Sequence, residues 1–196
     1  LASAGCTLAE LDAIGFGRGP GAFTGLRTAC SVTQGLAFGA AKPVLSLDSL
    51  MLVAEDARQQ AEAAGAPLAG TIWVVMDARM DEIYAAAYRW DGARWHVEVE
   101  PMLCAPAVLL QRWGEPAAVA GSALVAFEGR LGLAGRELRC WPATASRARA
   151  LAELARQAWA QGAVLDAAEA MPVYVRDKVA QTTEERLAAR AGSAVA

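Results

Sequence analysis

The sequence predicts an α/β protein in two lobes, on three observations. The first 64 residues alternate strand, helix, strand, helix. Three runs rich in Val, Ile, Trp and Tyr, "TIWVVMDAR", "DEIYAAAYRW" and "ARWHVEVE", then follow a Gly65–Pro67 break and read as an antiparallel meander. With 55% hydrophobic and 20% charged residues in 196, the chain has enough apolar side chain for a core, much of it alanine.

Taken in order, the opening "LASAGCTLAELDAIGFG" has no start methionine, basic n-region or apolar h-region, and reads as a helix end running into a buried strand, "LDAIGFG". A helix is predicted from Thr24 to about Phe38, with Leu26, Ala29, Cys30, Thr33, Leu36 and Ala37 on one face and Gly39 placed to stop it. "KPVLSL" is a second buried strand, and Asp48 or Ser49 caps a helix running to about Ala64. Asp91-Gly92 marks a hairpin within the meander. A short helix near Ala107–Trp113, a strand at "AAVAG", a helix from Ser122, a strand at "ELRCW", a helix from Ser146 to Gly162 and a short strand at "MPVYV" complete the reading. Residues 1–64 are thus the first lobe and 65–196 the second, with a loose tail from about Thr182 that lacks large apolar residues.

Composition excludes several function classes. A formal charge of −3 gives no global field to gather nucleic acid. The uncharged stretch between Arg27 and Lys42 contains Thr, Ser, Gln and Gly, and no uncharged stretch in the chain reaches the roughly 20 apolar residues a bilayer requires. Cys6, Cys30, Cys104 and Cys140 stand far apart, with neither zinc spacing nor a dense disulfide framework, which fits a reducing cytoplasm. The one histidine, His96, lies in an alternating strand and reads as structural.

The stretch "GRGPGAFTGLR" places Gly17, Gly19 and Gly21 ahead of a helix, the build of a phosphate cradle. Walker-A spacing fails, because the first lysine, Lys42, lies beyond that helix. Gly17, Gly19 and Ala22 do satisfy G-x-G-x-x-A, but Pro20 interrupts the pattern and no acidic residue occurs between Ala22 and Asp48 to hold a ribose. Within "DARMDEIY", Asp77 and Arg79 either form a hairpin salt bridge or line a cleft between the lobes. The small side chains Ala29, Cys30, Ser31 and Thr33 admit a partner helix, or pack on the chain's own sheet.

Three blocks, "GRGPGAFTGLRTACSVTQGLAFGAAKPVLSLDSL", "VVMDARMDEIYAAAY" and "MPVYVRDKVA", closely resemble the bacterial TsaB (YeaZ) family. The resemblance implies an actin-like (ASKHA, RNase H-like) fold of two lobes, related to the transferase TsaD. It also implies a role in making threonylcarbamoyladenosine beside the tRNA anticodon: TsaC forms a threonylcarbamoyl-adenylate, TsaD transfers the group, TsaE hydrolyses ATP, and TsaB is a non-catalytic scaffold. TsaD carries a His-x-x-x-His metal motif whose positions fall here at about Ser49 and Val53, neither able to replace imidazole. The family begins with a β-hairpin and first helix, and this chain starts inside the end of that helix, so the resemblance implies an exposed sheet edge and poor solubility.

Family members bind TsaD, or each other, through the first two helices of the first lobe, the second matching Thr24–Phe38. That implies partner contacts at Phe23, Thr24, Leu26, Arg27, Cys30, Ser31 and Gln34, a TsaD heterodimer joined by TsaE in the larger complex, a homodimer through the same helices, and only indirect contact with tRNA. No cofactor of its own is implied, with ATP or ADP held only in the complex. The competing expectations are an ATP-binding or phosphotransfer enzyme using the actin-like cleft, and a dinucleotide-binding protein.

Overall fold

The chain is described by a computed structural model covering residues 2–176; the tail expected from Thr182 and the Asp177–Ala180 end of the third block lie outside the described residues. Two sheets organise the molecule. β1 (Ile14–Gly19) and β2 (Val44–Asp48) pair in parallel, joined by α1 (Phe23–Ala40). α2 (Ser49–Ala63) then leads to a mixed five-stranded sheet of order β5-β4-β3-β6-β7. Its members are β3 (Gly70–Asp77), β4 (Ile83–Trp90), β5 (Trp95–Cys104), β6 (Ala118–Ala120) and β7 (Arg139–Trp141), with α3 (Pro106–Arg112) after β5, α4 (Ala123–Ala126) after β6 and α5 (Arg147–Ala160) after β7. The meander predicted from the three aromatic and β-branched runs is β3-β4-β5, antiparallel throughout.

The apolar pattern dictates the layers. β3 reads as a continuous apolar run because both of its faces are covered: Ile72 and Val74 face α2 and α5, while Trp73 and Val75 face α3 and α4. The first sheet is similarly sandwiched. Phe16 packs under the inner face of α1 with Cys30 and Ala37, and on the other face Gly15 and Gly17 let α5 and α2 come close. A side chain at Gly17 would meet Ser49 Oγ at 2.9 Å.

The predicted division at residue 65 does not follow the packing. α5 lies on β1, β2 and α2, Leu165 pairs with Val44, and the 3-10 turn Ala167–Glu169 covers the inner side of α1. Residues 147–170 therefore return to the first sheet, because Leu154, Ala167 and Ala170 are the side chains that complete its core. Three smaller expectations also change. α1 runs through Gly39 and ends in a left-handed residue at Ala41, φ 50°. β5 continues past Glu100 to Cys104. "MPVYV" is not a strand: its single backbone bond to the first sheet runs from Val173 N–H to Arg18 O, 2.7 Å. His96 is structural in position, bonded to Asp91 at the β4–β5 turn and holding that carboxyl well below the usual carboxylate range. No helix among the described residues is long and apolar enough to cross a membrane.

Candidate functional site

The loop from β1 to α1 borders a cleft of about 670 Å³ between the two sheets. Gly17, Gly21, Asp77 and Arg79 all line it, as do Ser49 and Val53. Gly19 does not, yet it is the residue on which the loop depends. Its φ of 116° suits glycine alone, and a Cβ there would meet Val173 O at 2.6 Å. Its N–H donates to Ser49 Oγ, 2.9 Å. The hydroxyl at one of the two positions where the resemblance places imidazoles thus accepts the bond that closes the loop.

The cleft lacks the donors a phosphate needs at α2. The Asp48 carboxylate caps that helix, accepting from the N–H groups of Leu50 at 2.8 Å and Met51 at 3.3 Å, and so puts negative charge where an anion would sit. Asp48 Oδ2 also accepts from the Tyr88 hydroxyl of β4 at 2.8 Å, tying the first sheet to the second. Burial pushes the Asp48 carboxyl above its ordinary value, against the opposing pull of Tyr88 and the two N–H groups. Burial, and then the carboxylate beside it, pushes the Tyr88 phenol up in turn.

Both readings of Asp77 and Arg79 hold together. The two form an ion pair, Nη1 to Oδ2 at 3.1 Å, and both line the cleft. Arg79, Met80 and Asp81 turn the chain from β3 to β4 with φ of 64°, 56° and 61°, a left-handed run that costs about 1–2 kcal/mol per residue. Arg176 holds this turn from outside, donating to Ala78 O at 2.9 Å and pairing with Glu82 at 2.7 Å, while Arg130 pairs with Asp81.

α1 divides the predicted partner contacts. Leu26 and Cys30 are buried within the chain, and Gln34 is half-buried with its amide donating to Ala170 O at 2.9 Å, so these three point inward; Leu26 and Cys30 belong to the predicted stripe, which packs on the chain's own sheet, and Gln34 lies beside it. Phe23 is half-buried against Tyr174, ring centroids 5.3 Å apart. Thr24, Arg27 and Ser31 are exposed. The outward face also carries Gly25, Thr28, Val32, Gly35, Leu36, Phe38 and Gly39. Val32 is 55%, Leu36 40% and Phe38 84% exposed, and nothing lies within 4 Å of the Cβ position of any of the three glycines. Small residues on an exposed α-helical face leave room for another helix to approach closely.

Val32 and Phe38 lie off the stripe at steps of three and four and so carry no periodic signal, and Leu36, expected on that stripe, is exposed instead. The buried acids of α2 carry no local signal either. Glu55 accepts from Arg58, Gln59 and Trp95 Nε1, and Asp56 accepts from Gln60 and from the N–H groups of Ala145 and Ser146. Arg58, Gln59 and Gln60 lie within "AEDARQQ", yet nothing there distinguishes a buried acid from a solvated one; the distant partners are Trp95 of β5 and the residues just ahead of α5, Ala145 and Ser146.

The comparisons with known proteins agree with this geometry. The family described as "TsaD: tRNA N6-adenosine threonylcarbamoyltransferase" matches residues 1–133. The tRNA threonylcarbamoyladenosine biosynthesis protein TsaB of Escherichia coli is 32% identical over 185 residues, spanning 92% of this chain and 77% of that protein. TsaB of Haemophilus influenzae is 30% identical over 190 residues, 91% and 76% of the two chains. The solved structure of YeaZ from Pseudomonas aeruginosa superposes with a TM-score of 0.74 at 33% identity, covering 88% of this chain and 79% of that one. A second Pseudomonas aeruginosa structure, described by its similarity to peptidase YeaZ, gives 0.74 at 35% identity, covering 89% and 78%.

Proposed function

The chain belongs to the TsaB (YeaZ) family of tRNA threonylcarbamoyladenosine biosynthesis proteins, and from that premise we propose that it acts as a non-catalytic scaffold that binds TsaD through the outward face of α1. The observation that carries the reading is the exposed Val32, Leu36 and Phe38 set among glycines that cost helix stability, roughly 1 kcal/mol each relative to alanine, and pack against nothing in the chain. Such a face is stabilised only when a second helix covers it. TsaE joins the larger complex, a homodimer uses the same face, and tRNA is reached only through TsaD.

The non-catalytic part of the reading rests on side chains. Ser49 bonds the loop and Val53 is buried aliphatic surface, so the transferase's metal histidines have no counterpart here. Among the described residues no group of three or more His, Cys, Asp or Glu is gathered for a metal. ATP or ADP belongs to the complex rather than to this chain, a reading supported at α2, where Asp48 already accepts the N–H groups that a phosphate would take. The setting is cytoplasmic.

Titration calorimetry of the chain with TsaD of the same organism tests the docking, with wild type binding and Val32→Glu losing at least about 2 kcal/mol, the size of a hot-spot loss. Unchanged affinity in Val32→Glu overturns the α1 assignment. Titration with ATP and ADP tests the second reading, an ATP-binding or phosphotransfer enzyme: the lone chain gives no binding heat, whereas the complex does.

A further inference from the structure

Residues 171–176 have no helix or ladder of their own, yet they touch both sides of the cleft. On the first-sheet side, Val173 N–H donates to Arg18 O at 2.7 Å. That carbonyl is free because the β1–β2 register shifts between Gly17 and Gly19, leaving Arg18 without a partner on β2. Tyr174 stacks on Phe23, and its hydroxyl accepts from Arg27 Nε at 3.0 Å, with the Arg27 guanidinium 4.0 Å over the Phe23 ring. Just upstream, Ala170 O accepts from both Cys30 Sγ and Gln34 Nε2. On the second-sheet side, Arg176 alone makes the attachment, to Ala78 O, Arg79 O and Glu82 of the left-handed turn.

We propose that residues 171–176 are a latch across the cleft, fastened to α1 by Tyr174 and to the β3–β4 turn by Arg176, and released as a unit without unfolding of either sheet. The inference goes beyond the docking role and does not depend on it. Met171, Val173 and Tyr174 are substantially exposed, so little apolar area holds the segment down. Segments with few buried contacts and few backbone bonds open at a fraction of the global unfolding free energy. The β3–β4 turn is the natural fastening point, since Arg176 donates to the carbonyls of both Ala78 and Arg79 there. Release widens the cleft between the loop and that turn, and uncovers Phe23.

The Val173 N–H is a built-in reporter, since it donates to Arg18 O across the segment's first-sheet attachment, and the amide of Val74 supplies the control, in a strand paired on both edges by β4 and β6. Hydrogen–deuterium exchange of the full chain, resolved to single amides by NMR, reads the two protection factors separately. The expected result is far weaker protection at Val173 than at Val74 in the wild type. In Arg176→Ala and in Tyr174→Ala the Val173 protection should fall by about tenfold while Val74 is unchanged. Unchanged Val173 protection in both variants overturns the latch. So does a parallel fall at Val173 and Val74, which would make the segment part of the cooperative fold.

Discussion

α1 and α2 each follow a strand of the same small sheet, and their burial runs opposite to their charge. α2 holds Glu55, Asp56, Arg58 and Glu62 in fifteen residues, yet seven of its side chains are buried, the first two acids among them. α1 holds one charged residue, Arg27, in eighteen, and only Leu26, Cys30, Thr33 and Ala37 are buried. The difference teaches that charge decides burial only through partners. The α2 acids are satisfied by Trp95, Gln60 and the N–H groups that open α5. The outer face of α1 has one charge, Arg27, bonded to Tyr174, and leaves Val32, Leu36 and Phe38 exposed, which is where we propose that a second protein docks.

The largest effect should come from breaking the internal half of that contrast. Glu55→Ala removes the acceptor of the Trp95 indole and leaves Arg58 without its nearer carboxylate, so the loss should be about 3–5 kcal/mol, as for one partner of a buried ion pair. A urea midpoint shifted by less than half of that would mean the α2 acids are spectators. Asp48 comes next. Asp48→Ala strips the cap from α2 and orphans the Tyr88 hydroxyl, for about 2–4 kcal/mol in all, whereas Asp48→Asn keeps an acceptor for both α2 N–H groups.

The pH dependence separates the charge of Asp48 from its hydrogen bonds. Its carboxyl is raised on folding, so the native chain binds that proton more readily than the unfolded one. The stability it contributes is fully present below the unfolded value and is lost as pH rises through the folded one. Wild type should therefore gain on Asp48→Asn as pH falls from 7 toward about 4, near the unfolded aspartate value. A difference curve flat with pH, from urea titrations of the two proteins, would show that the carboxylate is not paying a burial cost.

Much of this fold is legible in the sequence where a local pattern and its tertiary role coincide. β1, α1, β2 and α2 follow from apolar periodicity, Asp48 from its place before an apolar run, and the meander from three strand-like stretches with a tight Asp91-Gly92 turn. What could not be read depends on partners distant in the chain. Glu55 accepts from Trp95 forty residues on, and "MPVYV" looks like a strand, yet among the described residues its bond to the first sheet is the single one from Val173 N–H to Arg18 O. The cleft was half legible: Asp77 and Arg79 do line it with Gly17 and Gly21, whereas the part played by Tyr174 and Arg176 has no local signal. For α1 the sequence marks the helix and its narrow stripe but not which way that stripe faces, and so Leu26, Cys30 and Gln34 fall inside.

That orientation sharpens the next test. A large side chain at Cys30 would overpack the chain's own core, whereas Ser31 is exposed and the same change there meets only a partner. Ser31→Trp should leave the urea midpoint within about 0.5 kcal/mol of wild type and cost about 1–3 kcal/mol of association with TsaD. Loss of folding stability instead of association would place Ser31 against the chain itself.

The smallest effect is the most discriminating, because its two parts have opposite sign. Gly35 sits mid-helix on the outward face, at ordinary helical φ, with nothing within 4 Å of a Cβ added to it. In the free chain Gly35→Ala removes unfolded-state entropy and should stabilise by about 0.5–1 kcal/mol. If a partner helix packs backbone to backbone across Gly35, the added methyl meets it, and association weakens while the free chain becomes more stable. A face that is merely solvated gives the first change without the second. Thermal unfolding of the free chain and calorimetry with TsaD, run on this one variant, read the two signs independently. A more stable chain with undiminished affinity would move the contact away from Gly35, toward the Val32 and Leu36 side of the helix, where Val32→Glu still tests it.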